Sequence, residues 1–228
     1  MEKALALEAC GPEDIRAIPA GCKAVVIGSE FCSGLLPAPA QARALRRSFK
    51  GRIVLATTLL TQAALEKTMA LVRIISAGGP AGVIANDLGL LEALRARKNS
   101  PPVNCGRILA HRVKIMPEAY AKDFLARYRI AGFEVDDAAI LKRLEPYGLP
   151  FSWHYPFRYA TVTRFCPWEN RWAEGCGHSC LGRARKLVSP RLPGPLWLRG
   201  CAYFITGQRA RPGAARNVYT PPAEKNET

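Results

Sequence analysis

Short apolar runs that alternate with helical patterns constrain this chain most. Residues 3–8, 22–28, 52–57, 82–86, 103–110, 132–135, 151–163 and 196–205 read as strands. Helical patterns fall between them, over 11–18, 41–49, 61–77, 88–97, 120–130 and 138–147. The clearest helix is 61–77, where Leu65, Met69, Val72 and Ile75 share one face and Gly78-Gly79-Pro80 ends the run. Strands joined through helices of this length imply right-handed βαβ units and a parallel sheet. Eight such strands close a TIM-like (β/α)8 barrel, which usually takes about 250 residues. With 228 residues and a helix-poor end, the expectation is an α/β barrel that is abbreviated or incomplete at the C-terminus. An open, doubly wound sheet ranks second, because no Gly-x-Gly-x-x-Gly turn follows an early strand. Residues 1–207 are expected to form one barrel-like domain with a cysteine loop at 164–182. Pro190, Pro193 and Pro195 break the chain beyond it, and 208–228 is expected to be a disordered basic tail.

Of eight cysteines, three crowd together as Cys166-x9-Cys176-x3-Cys180, and Cys32 lies far upstream in Gly28-Ser-Glu-Phe-Cys32-Ser. A loop can fold three thiolates onto one centre, and a remote cysteine can tie it to the body of the fold. In a barrel, residues just past the C-terminal ends of strands share one rim. Cys32 follows the second strand and Cys166 the seventh, so Cys32, Cys166, Cys176 and Cys180 are the expected metal ligands. Thiol chemistry alone leaves zinc and an iron–sulfur cluster equally open. Cys201 is a weaker candidate to replace one of the four. Cys10, Cys22 and Cys105 lie on or beside strands and read as packed thiols. His178 is either a solvated loop residue or a hydrogen-bond donor to a cluster, and His154 reads as a packed histidine. Asn86-Asp87 also falls on the rim, with Asp87 expected to cap the helix that starts at Leu88. Trp153, Tyr155, Phe157 and Tyr159 alternate along one run and are expected to share a core face.

The sequence shows no secretory signal and no apolar stretch near the roughly 20 residues of a spanning helix. Clustered cysteines without a signal predict a cytoplasmic protein with metal-bound thiols, not disulfides. The net charge is +15, and residues 177–228 carry nine Lys or Arg against two acids. Such a balance suits nucleic acid, an anionic small molecule or an acidic partner, or else a solvated tail.

Val26-Ile-Gly-Ser-Glu-Phe-Cys32-Ser33, Ile53-Val-Leu-Ala-Thr57, Ala85-Asn-Asp-Leu-Gly-Leu90 and Tyr155-Pro-Phe-Arg-Tyr-Ala-Thr-Val-Thr-Arg164 before Cys166 carry a resemblance. From about residue 3 to about residue 207 the chain resembles the collagenase-like peptidase family numbered thirty-two in the unknown-type class. Within that family it is most similar to the UbiV-type iron–sulfur branch of oxygen-independent ubiquinone biosynthesis. The spacing from Cys166 to Cys176 is shorter here than in that branch. The resemblance implies a [4Fe–4S] cluster on Cys32, Cys166, Cys176 and Cys180. It also implies a paralogous partner chain in a heterodimer, and hydroxylation of a small aromatic substrate without dioxygen. Peptidase chemistry comes by family name only, since His-Glu-x-x-His and Gly-x-Ser-x-Gly are both absent. No catalytic residue is assigned. Other members of the family act on transfer and ribosomal RNA, which keeps an RNA-modifying role as the alternative. A zinc-stabilised structural protein is a third reading. A radical S-adenosylmethionine enzyme is disfavoured, because Cys-x3-Cys-x2-Cys does not occur.

Overall fold

The structure, a computed structural model, describes residues 2–7, 10–172, 176–192, 194–223 and the backbone of 225–227. Eight parallel strands close a barrel. In chain order they are β1 (Glu2–Ala6), β2 (Ala24–Gly28), β3 (Arg52–Ala56), β4 (Ala81–Ala85), β5 (Val103–Cys105), β6 (Ile130–Val135), β7 (Phe151–Tyr155) and β14 (Arg216–Tyr219). β14 pairs with β7 on one side and β1 on the other, which completes the ring. The helices α1 (Pro12–Arg16), α2 (Pro39–Ser48), α3 (Gln62–Ser76) and α4 (Leu88–Arg95) follow the first four strands. α5 (Arg107–Val113) and α6 (Glu118–Arg127) follow β5, and α7 (Ala138–Leu144) follows β6. Thr61 Oγ1 accepts from the Ala64 amide and Asp87 Oδ1 from the Leu90 amide, so each caps the helix it precedes.

The two faces of the strands separate by the period of two. Val25, Ile27, Ile53, Leu55, Phe133, Val135 and Trp153 point outward into the helix-side core. Ala4, Ala24, Val26, Val54, Ala56, Ile84 and Val218 point inward and fill one half of the barrel. By the same parity Asn104, Glu134, Ser152, His154 and Arg216 fill the other half, and the last four are buried. The barrel interior is thus apolar toward β1–β4 and hydrogen-bonded toward β5–β7 and β14.

Five expectations need correction. The run over 103–110 is a three-residue strand followed by α5, because Leu109, Ala110 and Val113 share one buried helical face. The run over 151–163 breaks at Pro156, which has no N–H to carry a ladder onward. β8 (Phe157–Val162) therefore leaves the barrel. Trp153 then packs on the helix side while Phe157 joins Phe31, Ala202 and Phe204, so the four aromatic residues do not share a face. The run over 196–205 is a hairpin of β12 (Leu196–Arg199) and β13 (Ala202–Thr206), turned at Gly200 with φ +53°. Finally, the segment expected to be a disordered tail contains β14, so the barrel is closed and not incomplete. Its abbreviation lies in the helices. An insertion replaces the helix between β7 and β14, built on a second sheet of β8, β13, β12 and β11 (Arg183–Leu187), whose β11 edge is extended by β15 (Lys225–Glu227) from beyond β14. β9 (Phe165–Cys166) and β10 (Arg171–Trp172) form a small separate pair within it.

Candidate metal centre and barrel-mouth cavity

β2 delivers Glu30, Phe31 and Cys32 to the C-terminal rim. Ser29 Oγ accepts from the Phe31 and Cys32 amides at 3.1 and 3.2 Å, which fixes the turn. The insertion brings Cys166 from β9 and Cys201 from the β12–β13 turn onto the same spot. Cys32, Cys166 and Cys201 form one buried group, with Leu35 and Trp168 packed against it. Cys201 Sγ stands 3.5 Å from Cys32 Sγ. That thiol contact, helped by the Gly34 and Leu35 amides and opposed by burial, lowers the Cys32 pKa to about 7.

Cys176 and Cys180 lie on a neighbouring loop organised by Glu169. This carboxylate accepts from the Gly177 amide at 2.9 Å, the Ser179 amide at 3.1 Å and the Ser179 hydroxyl at 3.2 Å. The amides hold its pKa down at about 2. His178, with φ +62°, sets its Nε2 2.8 Å from the Gly34 carbonyl and so ties the loop to the Cys32 turn. Cys176 and Cys180 lie within electrostatic reach of Cys32 and Cys166, while burial pushes the Cys180 thiol up to about 12. Of the four expected ligands, Cys32 and Cys166 thus pack together with Cys201, while Cys176 and Cys180 lie on the adjoining loop. Cys10 and Cys105 sit apart, in the helix-side core.

The donor set suits a soft, thiolate-bound metal group. A single zinc ion needs every sulfur at about 2.3 Å. Among the described residues no three His, Cys, Asp or Glu side chains stand close enough together for one ion.

Cavities reach the centre from two sides. One, of about 370 Å³, is lined by Cys32, Cys201, Thr58, Val162 and Trp172. The other, of about 120 Å³, lies between the barrel mouth and the insertion. Its walls include Val26, Ala56, Phe31, Phe157 and Phe204, and Cys180 lies at its edge. Arg199, whose guanidinium lies 4.5 Å over the Phe157 ring, and Arg183 add positive charge. Burial lowers the Arg199 pKa to about 10.

Below this cavity run two buried ionic networks. Arg107 Nε meets Glu30 Oε1 at 2.8 Å and its Nη1 meets Asp136 Oδ2 at 3.0 Å. Asn86 joins them, donating to the Thr57 carbonyl at 2.8 Å and accepting from the Leu109 amide at 3.0 Å. Deeper, Glu134 takes Asn104 Nδ2 at 2.7 Å and Arg216 Nη2 at 2.6 Å on one oxygen, and His154 Nε2 at 2.7 Å on the other. Burial would raise the Glu134 pKa, but Arg216 and His154 prevail and hold it at about 2. His154 is thus packed, as its sequence suggested, but packed against a carboxylate. The rim rule that singled out Cys32 and Asn86 also applies to Glu30, Arg107 and Asp136, each one or two residues past a strand. Glu134 and Arg216 carry no such signal, because only the closed barrel brings them together. Comparison with protein-family models, with curated proteins and with solved structures finds no match.

Proposed function

We propose that this chain holds a [4Fe–4S] cluster on Cys32, Cys166, Cys176 and Cys180. In this reading it is an accessory chain of an oxygen-independent hydroxylation system in ubiquinone biosynthesis, acting with a paralogous partner. The observation that carries the proposal is the meeting of thiols from two distant segments at the barrel mouth, beside an apolar cavity. The quinone pathway and the partner chain come from the sequence resemblance. When bound, such a cluster supplies one-electron chemistry. The protein's share is to gather and bury the thiols. Glu169 and His178 hold the loop in register, and the Cys201 contact favours the thiolate of Cys32, the form that ligates metal.

The charge of +15, which favours an RNA-acting role, is partly internal. Arg46, Arg107, Arg199 and Arg216 are all buried, and none of these four serves as a surface contact for phosphate.

The experiment is iron, acid-labile sulfide and zinc analysis of anaerobically purified protein, beside the change of all four cysteines to alanine. About four irons and four sulfides per chain, lost in the quadruple variant, support the cluster. Zinc without sulfide overturns it. Cys201→Ala and Cys32→Ala, measured separately, decide which of the two neighbouring thiols is the ligand: only the ligand's loss removes iron.

A further inference from the structure

We propose that His154, positioned by Glu134, is a proton acceptor for the hydroxyl of a single-ring aromatic ligand bound in the barrel-mouth cavity. The inference needs no metal at the cysteines and stands on the inner network and the cavity alone.

Glu134 is wholly buried and ionised, so it can only accept hydrogen bonds. His154 Nε2, 2.7 Å from Glu134 Oε2, must therefore carry a proton. In the neutral ring this leaves Nδ1 as the acceptor. Among the described residues Nδ1 has no hydrogen-bond partner. The ring lines the cavity. An oriented imidazole that lines a cavity with its acceptor nitrogen unpaired, backed by a carboxylate, has the arrangement of a general base.

The cavity selects the ligand class. Its volume of about 120 Å³ is near that of the roughly 150 Å³ apolar cavity known to take one benzene ring. Phe31, Phe157 and Phe204 offer ring edges and faces. The charged groups around His154 are Glu134 from β6, Glu30 past β2 at 3.9 Å, Arg107 on Glu30, Arg216 from β14 on Glu134, and Arg199 and Arg183 from the insertion. Glu30 is already engaged by the Arg107 side chain and amide and by Asn86. The arginines favour a negative charge on the ligand. In the step, the ligand O–H bond breaks, a proton bonds to Nδ1, and the electron pair stays on oxygen. Glu134 stays ionised and compensates the imidazolium. The product is a phenolate, whose ring is richer in electrons than that of the phenol.

The test uses 4-nitrophenol, whose phenolate absorbs at longer wavelength than the phenol, titrated into the full chain from pH 5 to 8. Saturable binding is expected, with at least tenfold more phenolate in the bound dye than in the free dye at the same pH. In His154→Gln the bound dye should lose that excess, and nitrobenzene, which has no hydroxyl, should bind as before. Glu134→Gln should also reduce the excess, a readout that loss of packing alone would not move. Ala56→Leu fills the cavity and should abolish binding of both probes. Failure of the dye to saturate overturns the proposal, as does an excess unchanged in His154→Gln or binding that survives Ala56→Leu. An unchanged or smaller phenolate fraction in the unaltered chain overturns it without any variant. Cys176 does not line this cavity, so Cys176→Ala should lose iron yet keep the dye signal, which reads the two sites apart.

Discussion

Replacing Arg216 by methionine tests whether the last strand both closes the barrel and neutralises its interior. Glu134 has its carboxyl held at about 2 against an ordinary 4.5, which corresponds to about 3 kcal/mol of stability. Because the folded value is depressed, that contribution is complete above pH 4.5 and is lost as pH falls toward 2. Arg216 is the largest favourable cause, and without it a buried carboxylate keeps only His154 and Asn104. Breaking a buried pair in this way costs about 3–5 kcal/mol, a large part of the roughly 5–15 kcal/mol typical of a domain. Arg216 Nε has no hydrogen-bond partner, and its removal relieves that unmet donor, so the expected loss lies near the lower end. The measurement is urea unfolding followed by tryptophan fluorescence at pH 7.5, 6 and 4.5. The gap between the two proteins should be widest at pH 7.5. It should narrow with acid, because the stranded Glu134 takes up a proton more readily in the folded variant than in its unfolded chain. Lys122→Ala serves as control, since its pair with Glu118 is exposed and its loss should leave the transition nearly unchanged at every pH. A loss below about 1 kcal/mol for Arg216→Met, or a gap that does not change with pH, would refute the reasoning.

Ending the chain after Gln208 removes β14 and leaves β1 and β7 as open edges. The shortened protein should bind a hydrophobic dye and unfold without a cooperative transition; a sharp melt matching the full chain would show that the tail is dispensable. Gly28→Ala should cost about 1–3 kcal/mol in a thermal melt. Gly28 has φ +80°, and a Cβ there would lie 2.5 Å from the Ala56 carbonyl oxygen. An unchanged melting temperature would mean that the turn into the Cys32 segment relaxes freely.

The sequence made some of this fold plain and hid the rest for physical reasons. The first four strands are continuous apolar runs between helices, and parallel strands buried on both faces look like that. The approach of Cys32 to Cys166 was legible because the rim position of each follows from the strand before it. The C-terminal third is illegible from local pattern wherever that pattern yields to a tertiary partner. Arg216-Asn217-Val218 looks like a solvated stretch, yet its first residue is buried by Glu134, which lies 82 positions earlier. The two later runs look like single strands, but Pro156 and Gly200 each end one. His154 reads as an ordinary core residue until Glu134 is placed beside it on the neighbouring strand.

The insertion between β7 and β14 explains why the thiol centre and the cavity occur together. A helix at that point would cover the outside of the barrel, whereas β8 leaves the ring at Pro156 and carries the chain over the mouth. The same sheet turns at Cys201, carries Arg199 on one strand and Phe204 on the next, and frames the loops bearing Cys166, Cys176 and Cys180. One excursion of the chain thus supplies the roof of the cavity and every proposed ligand except Cys32. The barrel supplies the floor, through His154, Glu134 and Arg107. No thiol of the centre lies within a barrel strand, so exchanging the cysteines leaves every barrel ladder intact, whereas exchanging Glu134 or Arg216 strikes the ring itself. Chemistry at the roof can therefore be altered with the fold preserved, and chemistry at the floor is coupled to the stability of the barrel.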